Sequence, residues 1–330
     1  MIEKRKLGGR LINPIGLGCM SLSWAYGVPP SEDVAIQLLN RALDLGYDHL
    51  DTANIYGLGH NETLLGKAIK GRRNAFFLAT KMGITVDGTK RGIDCSPAAI
   101  HRCIDESLIR LQTDHIDLYT MHRPDRRVPI EDSMGAMAEL VAAGKISHVG
   151  LSEMSAETLR KAHAVHPVAA MQTEYSLWTR NPEIAVLDTC AELGTTFVAF
   201  SPVGRGVLAG GVRDVADLPE SDFRHTMPRF NAENWPKNLA LIDQFDALAD
   251  QAGVTSAQLS LAWVLSRGKH IVTIPGTGSS AHMEANIARW DWELPADLAA
   301  WLDALINQQT VAGPRYGPAM QASVSTEDFA

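Results

Sequence analysis

The sequence predicts a closed barrel of eight parallel strands, each followed by a helix, with a β-hairpin at its amino end and extra helices at its carboxyl end. Two observations point there. After the hairpin, short apolar runs alternate eight times with amphipathic stretches along the 330 residues. Strands that are apolar on both faces need helices over both. Polar residues also stand where those runs end: Asp51, Lys81, His122, Ser152, Gln172 and Ser201 each close a different one. In an open doubly wound sheet such residues would gather from two or three strands at one switch point. Recruitment from most of the strands fits the mouth of a (β/α)8 (TIM) barrel.

The elements follow in order. Residues 2–13 alternate around Gly8 and Gly9, a two-residue turn that suits a hairpin, and 15–18 is a short strand. Ser31 caps a helix over 31–45, with Val34, Leu38, Ala42 and Leu45 on one face. Gly46 ends it, in the position after the cap where a left-handed conformation is needed. A strand closing at Asp51 precedes a helix over 61–70. Strand 75–80 precedes helix 97–111, which opens on Ser96 and Pro97. The alternation continues as strand 115–121 and helix 131–143, strand 146–150 and helix 155–165, then strand 168–172 and helix 182–193. Strand 195–200 leads into an irregular excursion over 203–236 and helices over 237–252 and 256–267. Strand 271–274, a helix from about 280 and a last helix over 296–306 complete the series. Residues 307–330 lack periodicity and read as a tail. No linker or compositional break divides the chain, so 1–330 is expected to be a single domain.

Composition narrows the function. A hydrophobic content of 45% with 21% charged residues is that of an ordinary globular protein. A net charge of −8 without a basic run argues against nucleic acid and against anionic membrane as partners. No stretch approaches the ~18 apolar residues of a membrane span. The charged start, Glu3 to Lys6, has no apolar segment after it and is not a signal peptide. Cys19, Cys95, Cys103 and Cys190 are scattered singly, as expected of reduced thiols in the cytoplasm. No histidine or cysteine spacing suggests a metal site. Gly57-Leu58-Gly59 and Gly204-Arg205-Gly206 each fail to complete a dinucleotide fingerprint, with Glu62 and Ala209 at the third glycine positions.

Three neighbouring strand ends supply Asp51, Lys81 and His122, with Tyr56 just beyond the first. Alone, each suits a cap, a solvated charge or packing; together they suit proton transfer to a carbonyl oxygen. A phenol is a useful acid near neutrality if its pKa falls by roughly three units, about 4 kcal/mol. An ammonium ~4 Å away at an effective dielectric of ~20 supplies about that much. Asp51 would pair with Lys81 and keep it charged, and His122 would orient the carbonyl.

The chain resembles the aldo-keto reductases, in the branch with a Phe-Ser-Pro-x-Gly-Arg-Gly motif. The motifs that carry the likeness run in family order through nearly the whole chain. They are Asp51-Thr52-Ala53 with Tyr56-Gly57, Thr80-Lys81, His122-Arg123-Pro124-Asp125, Gly150-Leu151-Ser152-Glu153, Phe200-Ser201-Pro202 with Gly204-Arg205-Gly206, and Ile274-Pro275-Gly276-Thr277. The resemblance implies a barrel that transfers hydride between a nicotinamide nucleotide and a small carbonyl or alcohol. It makes Tyr56 the general acid, Lys81 and Asp51 its tuning pair and His122 the carbonyl orienter. It implies Ser152, Glu153 and Gln172 at the carboxamide, Phe200 on the nicotinamide ring and Arg205 at the pyrophosphate. Gly18, Met20, Ser201, Pro202, Gly204, Gly206, Gly276, Thr277, Gly278, His282 and Asn286 complete the expected cofactor site. At position 153 many relatives carry Asn, but a glutamate can also accept amide protons. Members that prefer NADPH usually place arginines where this chain has Gly278 and His282. NADP(H) is the cofactor expected from family habit, and NAD(H) its rival.

Trp24, Tyr26 and Trp178 stand in loops at the carboxyl side and are expected to wall an apolar substrate pocket, with 203–236 as a lid. Two other functions fit the same residues: a cofactor-binding regulatory subunit, and a lyase using Lys81 as a Schiff-base amine. Substrate identity and oligomeric state are not legible.

Overall fold

The computed structural model describes residues 3–88, 90–288 and 291–329. Ile2 and Ala330, the outer ends of the expected hairpin and tail, lie outside them. The chain opens on an antiparallel hairpin, β1 (Arg5–Leu7) and β2 (Arg10–Ile12). Next come β3 (Leu17–Gly18), α1 (Glu32–Asp44), β4 (His49–Asp51), α2 (His60–Ala68) and β5 (Phe77–Met82). A second hairpin, β6 (Ile84–Asp87) and β7 (Lys90–Ile93), leads to α3 (Pro97–Leu111). Alternation then continues through β8 (Ile116–Met121), α4 (Ile130–Ala142), β9 (Ile146–Ser152), α5 (Ala156–Val165), β10 (Val168–Glu174), α6 (Val186–Leu193) and β11 (Thr196–Phe200). Finally come α7 (Trp235–Ala252), α8 (Ser256–Ser266), β12 (Ile271–Thr273), α9 (Ser280–Ala288), α10 (Ala296–Leu305) and α11 (Pro318–Gln321).

Eight strands run parallel in the order β12-β11-β10-β9-β8-β5-β4-β3. Backbone hydrogen bonds from Gly16 N to Thr273 O (2.8 Å) and from Gly18 N to Pro275 O (3.1 Å) join the two ends, so the barrel is closed, as expected. Alternation along each strand sorts its side chains. Leu50, Leu78, Tyr119, Val149, Leu151 and Met171 face the helices in the larger core. Phe77, Ala79, Leu118, Ala170, Val198 and Val272 fill the interior. Leu7 and Ile12 join that inner cluster, so the first hairpin plugs the amino end. Continuing each inward series by two residues carries Ala79 to Lys81, Ala170 to Gln172 and Val198 to Phe200, all at the carboxyl mouth.

Several expectations need correction. Val34 is exposed, and α1 buries Ala35, Leu38, Leu39 and Ala42 instead. The helix expected over 182–193 is a 3-10 turn, Asn181–Ile184, and then α6, separated at Ala185 with φ −156°. The β6–β7 hairpin was not expected, because its strands are mostly exposed and show no apolar alternation. Residues after 306 do not trail away: Arg315, Tyr316, Val324 and Thr326 are buried, and Ser325 N donates to Glu153 O at 2.8 Å.

At Gly66, α2 touches the end of α3. A Cβ there would lie 2.5 Å from Arg110 O and 2.8 Å from Leu111 C, both backbone atoms. Alanine in mid-helix is worth about 1 kcal/mol over glycine, but overpacking costs about 1–3 kcal/mol, and backbone cannot swing aside. Gly66→Ala is therefore expected to lower stability by about 1–2 kcal/mol, read from the urea midpoint. A higher midpoint would mean that the helices separate freely.

Candidate active site

A cavity of about 540 Å³ opens at the carboxyl end of the barrel. Asp51, Tyr56 and His122 line it, and Lys81 lies fully buried behind them. The Lys81 ammonium pairs with one oxygen of Asp51, donates to Thr52 O at 2.7 Å, and stands 3.3 Å from the Tyr56 hydroxyl. The other Asp51 oxygen accepts from Gln172 Nε2 at 2.8 Å. The Tyr56 and His122 rings meet edge-on with centroids 5.8 Å apart. The four residues expected at strand ends thus share one cavity opening.

The electrostatics correct one expectation. Burial, the largest influence, raises the Tyr56 pKa; Lys81 lowers it and Asp51 opposes Lys81, and the net shift is upward. Burial and the opposing field of the carboxylate that holds the ammonium in place together outweigh it, so the phenol stays protonated at neutral pH. Burial disfavours the charged form of Lys81, but Asp51 and Tyr56 more than compensate and its pKa is raised. His122 is depressed well below the ordinary imidazole value by burial, then by Arg123, Lys81 and Arg91. It is neutral, and among the described residues its Nδ1 has no partner.

Of the residues expected at the cofactor, Gly18, Met20, Gln172, Phe200, Ser201 and Pro202 line the cavity. So do Arg205, Gly206, Gly276, Thr277, Gly278, His282 and Asn286, as do Trp24 and Tyr26 from the expected substrate wall. Ser152, Glu153, Gly204 and Trp178 do not. Ser152 is buried, its hydroxyl 3.4 Å from Arg123. Trp178, expected on the substrate wall, is buried beneath the Arg229 guanidinium, which lies 5.8 Å from its ring centroid, and does not line this cavity.

Glu153 is the largest departure from expectation. Its carboxylate binds both terminal nitrogens of Arg315 (one at 3.0 Å), Thr326 Oγ1 at 2.8 Å and Glu174 N at 3.0 Å. With its acceptors taken and its side chain outside the cavity, it is not available to a carboxamide. Arg205, expected at a pyrophosphate, pairs with Glu174 where it lines the cavity and contacts Tyr26 OH (2.8 Å) and Tyr316 OH (3.0 Å). Arg315 Nε reaches Glu174 at 3.0 Å, so two buried arginines and two buried glutamates form one network. The excursion 203–236 packs over the loop carrying Trp24 and Tyr26. Phe223 N donates to Ala25 O at 3.2 Å, and Asp222 accepts from Gly27 N at 3.0 Å.

Sequence reasoning gave no site role to Arg91, Arg123, Tyr316 and Met320, which also line the cavity, while Phe223 and Arg224 line it from the excursion expected as a lid. Arg123 follows His122 directly and could have been noticed. Tyr316 and Met320 belong to a stretch without periodicity, whose one signal was an arginine beside an aromatic.

Burial opposes ionisation of Glu174, but Arg205 and Arg315 outweigh it and pull its pKa from 4.5 to about 2. The folded value lies below the unfolded one, so this stabilisation is complete above pH ~4.5 and is lost as pH falls through about 2. Glu174→Gln leaves buried cations short of a partner and is expected to cost about 3–5 kcal/mol at pH 7. Urea midpoints of the two proteins should converge as pH drops from 5 towards 2, within the window set by those two values. A gap that does not change with pH would show that Glu174 stays neutral.

Comparison with known proteins agrees with this architecture. The sequence model of the Aldo/keto reductase family matches residues 14–307. Aldo-keto reductase str7 of Strobilurus tenacellus is 42% identical over 324 residues, covering 95% of each chain. The glycerol dehydrogenase AKR11B4 from Gluconobacter oxydans superposes with a TM-score of 0.85 at 27% identity, over 96% of this chain and 98% of that one. An aldo-keto reductase from Klebsiella pneumoniae, solved in complex with NADPH, does so with a TM-score of 0.73 at 28% identity, over 96% and 99%. By sequence along most of its length and by its closed barrel, the chain belongs to the aldo/keto reductase family of NAD(P)H-dependent oxidoreductases.

Proposed function

We propose that this protein, acting as a single barrel domain, reduces small aldehydes or ketones to alcohols, reversibly, with Tyr56 as proton donor and NADP(H) as hydride source. The observation that carries this is the contact chain Asp51–Lys81–Tyr56 opening into a cavity that neutral His122 also lines. When bound, the nicotinamide nucleotide supplies hydride to the carbonyl carbon. The chain's own residues manage the oxygen. The Tyr56 hydroxyl, protonated at rest, donates to it as negative charge develops. The adjacent Lys81 ammonium stabilises the phenolate left behind, and Asp51 with Gln172 holds the ammonium in place. A neutral His122 can offer an N–H to the same oxygen without titrating.

The residues present suit such a nucleotide. Phe200 offers an aromatic surface in the cavity wall, and Ser21 Oγ, on the same wall, is buried without a partner among the described residues. Gly276, Thr277 and Gly278 lead into the N-terminus of α9, where free backbone amides favour phosphate. NADP(H) is supported by two Klebsiella pneumoniae neighbours, solved with NADP and acetate and with NADPH. NAD(H) is the second choice because Gly278 and His282 offer no guanidinium to a 2′-phosphate.

Tyr56→Phe is expected to lower carbonyl turnover by about 10²–10⁴-fold while nucleotide still quenches protein fluorescence. Activity near wild type in that variant would remove Tyr56 from the role. Because His122 stays neutral, kcat/KM for reduction should show no step near pH 6.5; a clear one would mean that the imidazole titrates. Fluorescence titration should give tighter binding of NADPH than of NADH, and the reverse order would assign the enzyme to NAD(H). Carbonyl turnover itself separates this function from a regulatory subunit, and borohydride trapping on Lys81 would indicate a Schiff-base lyase.

A further inference from the structure

We propose that the carbonyl substrate carries an anionic group, a carboxylate or a phosphate monoester, which Arg91 and Arg123 hold while the carbonyl lies against Tyr56 and His122. This rests on Tyr56 being the proton donor. Both arginines line the cavity. Arg91 projects from β7 and is exposed, and its guanidinium has no hydrogen-bond or ion-pair partner among the described residues. Arg123 gives one terminal nitrogen to His122 O (2.7 Å) and Ser152 Oγ (3.4 Å), and no carboxylate among the described residues pairs with it.

The other cations at this cavity are matched. Lys81 has Asp51, Arg205 has Glu174, and Arg224 has Asp222 at 2.7 Å. Two unmatched guanidinium groups therefore stand beside a neutral histidine, in a chain whose net charge is −8. Like charges so placed repel one another, and Arg91 and Arg123 both depress His122. An anion between them would remove that repulsion and give each guanidinium the planar partner it binds best.

The position excludes the nucleotide phosphates as that anion. Tyr56, Lys81, Arg91, His122 and Arg123 come from the consecutive strands β4, β5 and β8 and the loops after them. The N-terminus of α9 follows β12, which in the closed ring stands four places from β8 in either direction. Arg123 follows directly on His122, so the anionic group belongs within a few bonds of the carbonyl carbon.

The test compares kcat/KM for matched aldehydes: 4-carboxybenzaldehyde against 4-methylbenzaldehyde, and glyceraldehyde 3-phosphate against glyceraldehyde. The anionic member of at least one pair is expected to be preferred by about tenfold or more, and the pair that shows it distinguishes carboxylate from phosphate. The preference should weaken in about 0.5 M KCl. It should fall by about tenfold in Arg91→Gln and in Arg123→Gln, with partial rescue in Arg91→Lys. Because Arg91 is exposed on a hairpin, its variants suffice if Arg123→Gln does not fold. No anionic preference in either pair, or a preference that Arg91→Gln leaves unchanged, overturns the proposal, while reduction of the neutral aldehydes would leave the role of Tyr56 standing. If no aldehyde is reduced, the proton-donor assignment has failed. Calorimetric titration with benzoate and with inorganic phosphate then decides: binding weakened by Arg91→Gln supports the anion site, and no binding of either overturns it.

Discussion

A lysine ammonium sealed inside the mouth of the barrel is the constraint from which the site follows. Removing such a charge from water costs several kcal/mol, and only a close counter-charge with further hydrogen bonds offsets it. Lys81 occupies the interior because it continues the inward series Phe77, Ala79 along β5. Asp51 comes from the neighbouring strand, and the Thr52 carbonyl and the Tyr56 hydroxyl come from the loop after it. Gln172 holds the far oxygen of Asp51 from β10, across the barrel. The phenol is therefore positioned by the need to satisfy a buried cation, before any ligand enters.

The same requirement recurs in the network of Glu153, Glu174, Arg205 and Arg315. None of these charges is tolerable alone at such depth. Matching them brings the loop after β11 and the segment after α10 together over the barrel mouth. Tyr316 is carried to the cavity wall by the residue beside it. Arg91 and Arg123, which follow the adjacent strands β5 and β8 and have no ion-pair partner among the described residues, stand out against this thorough pairing.

Much of this was legible in the sequence, because two periodicities and abrupt polar strand ends encode a barrel and its mouth. Asp51, Tyr56, Lys81 and His122 could be named since each ends or follows an apolar run. What escaped depends on contacts that leave no local pattern. The segment after 306 is held by ion pairs and backbone bonds rather than an apolar face, so it resembled a loose tail. The exposed β6–β7 hairpin alternates nothing. Glu153 was assigned from the family resemblance of its motif, while its partner Arg315 lies 162 residues away. The Tyr56 pKa was misjudged because the field of Lys81 was considered without the burial of the phenol and the opposing field of Asp51. Val34 and Ala35 were exchanged by one position on α1, within the width of an amphipathic stripe.

The long reach of that ionic network has a bearing on how the protein is made. Glu153 and Glu174 leave the ribosome well before Arg315, which follows them by 162 and 141 residues. Until it emerges, a nascent barrel with every strand already translated still holds an incompletely neutralised acidic patch at its rim. Final locking of the mouth is thereby deferred until Arg315 has been made, and a chain interrupted shortly before it would be a barrel without its clasp.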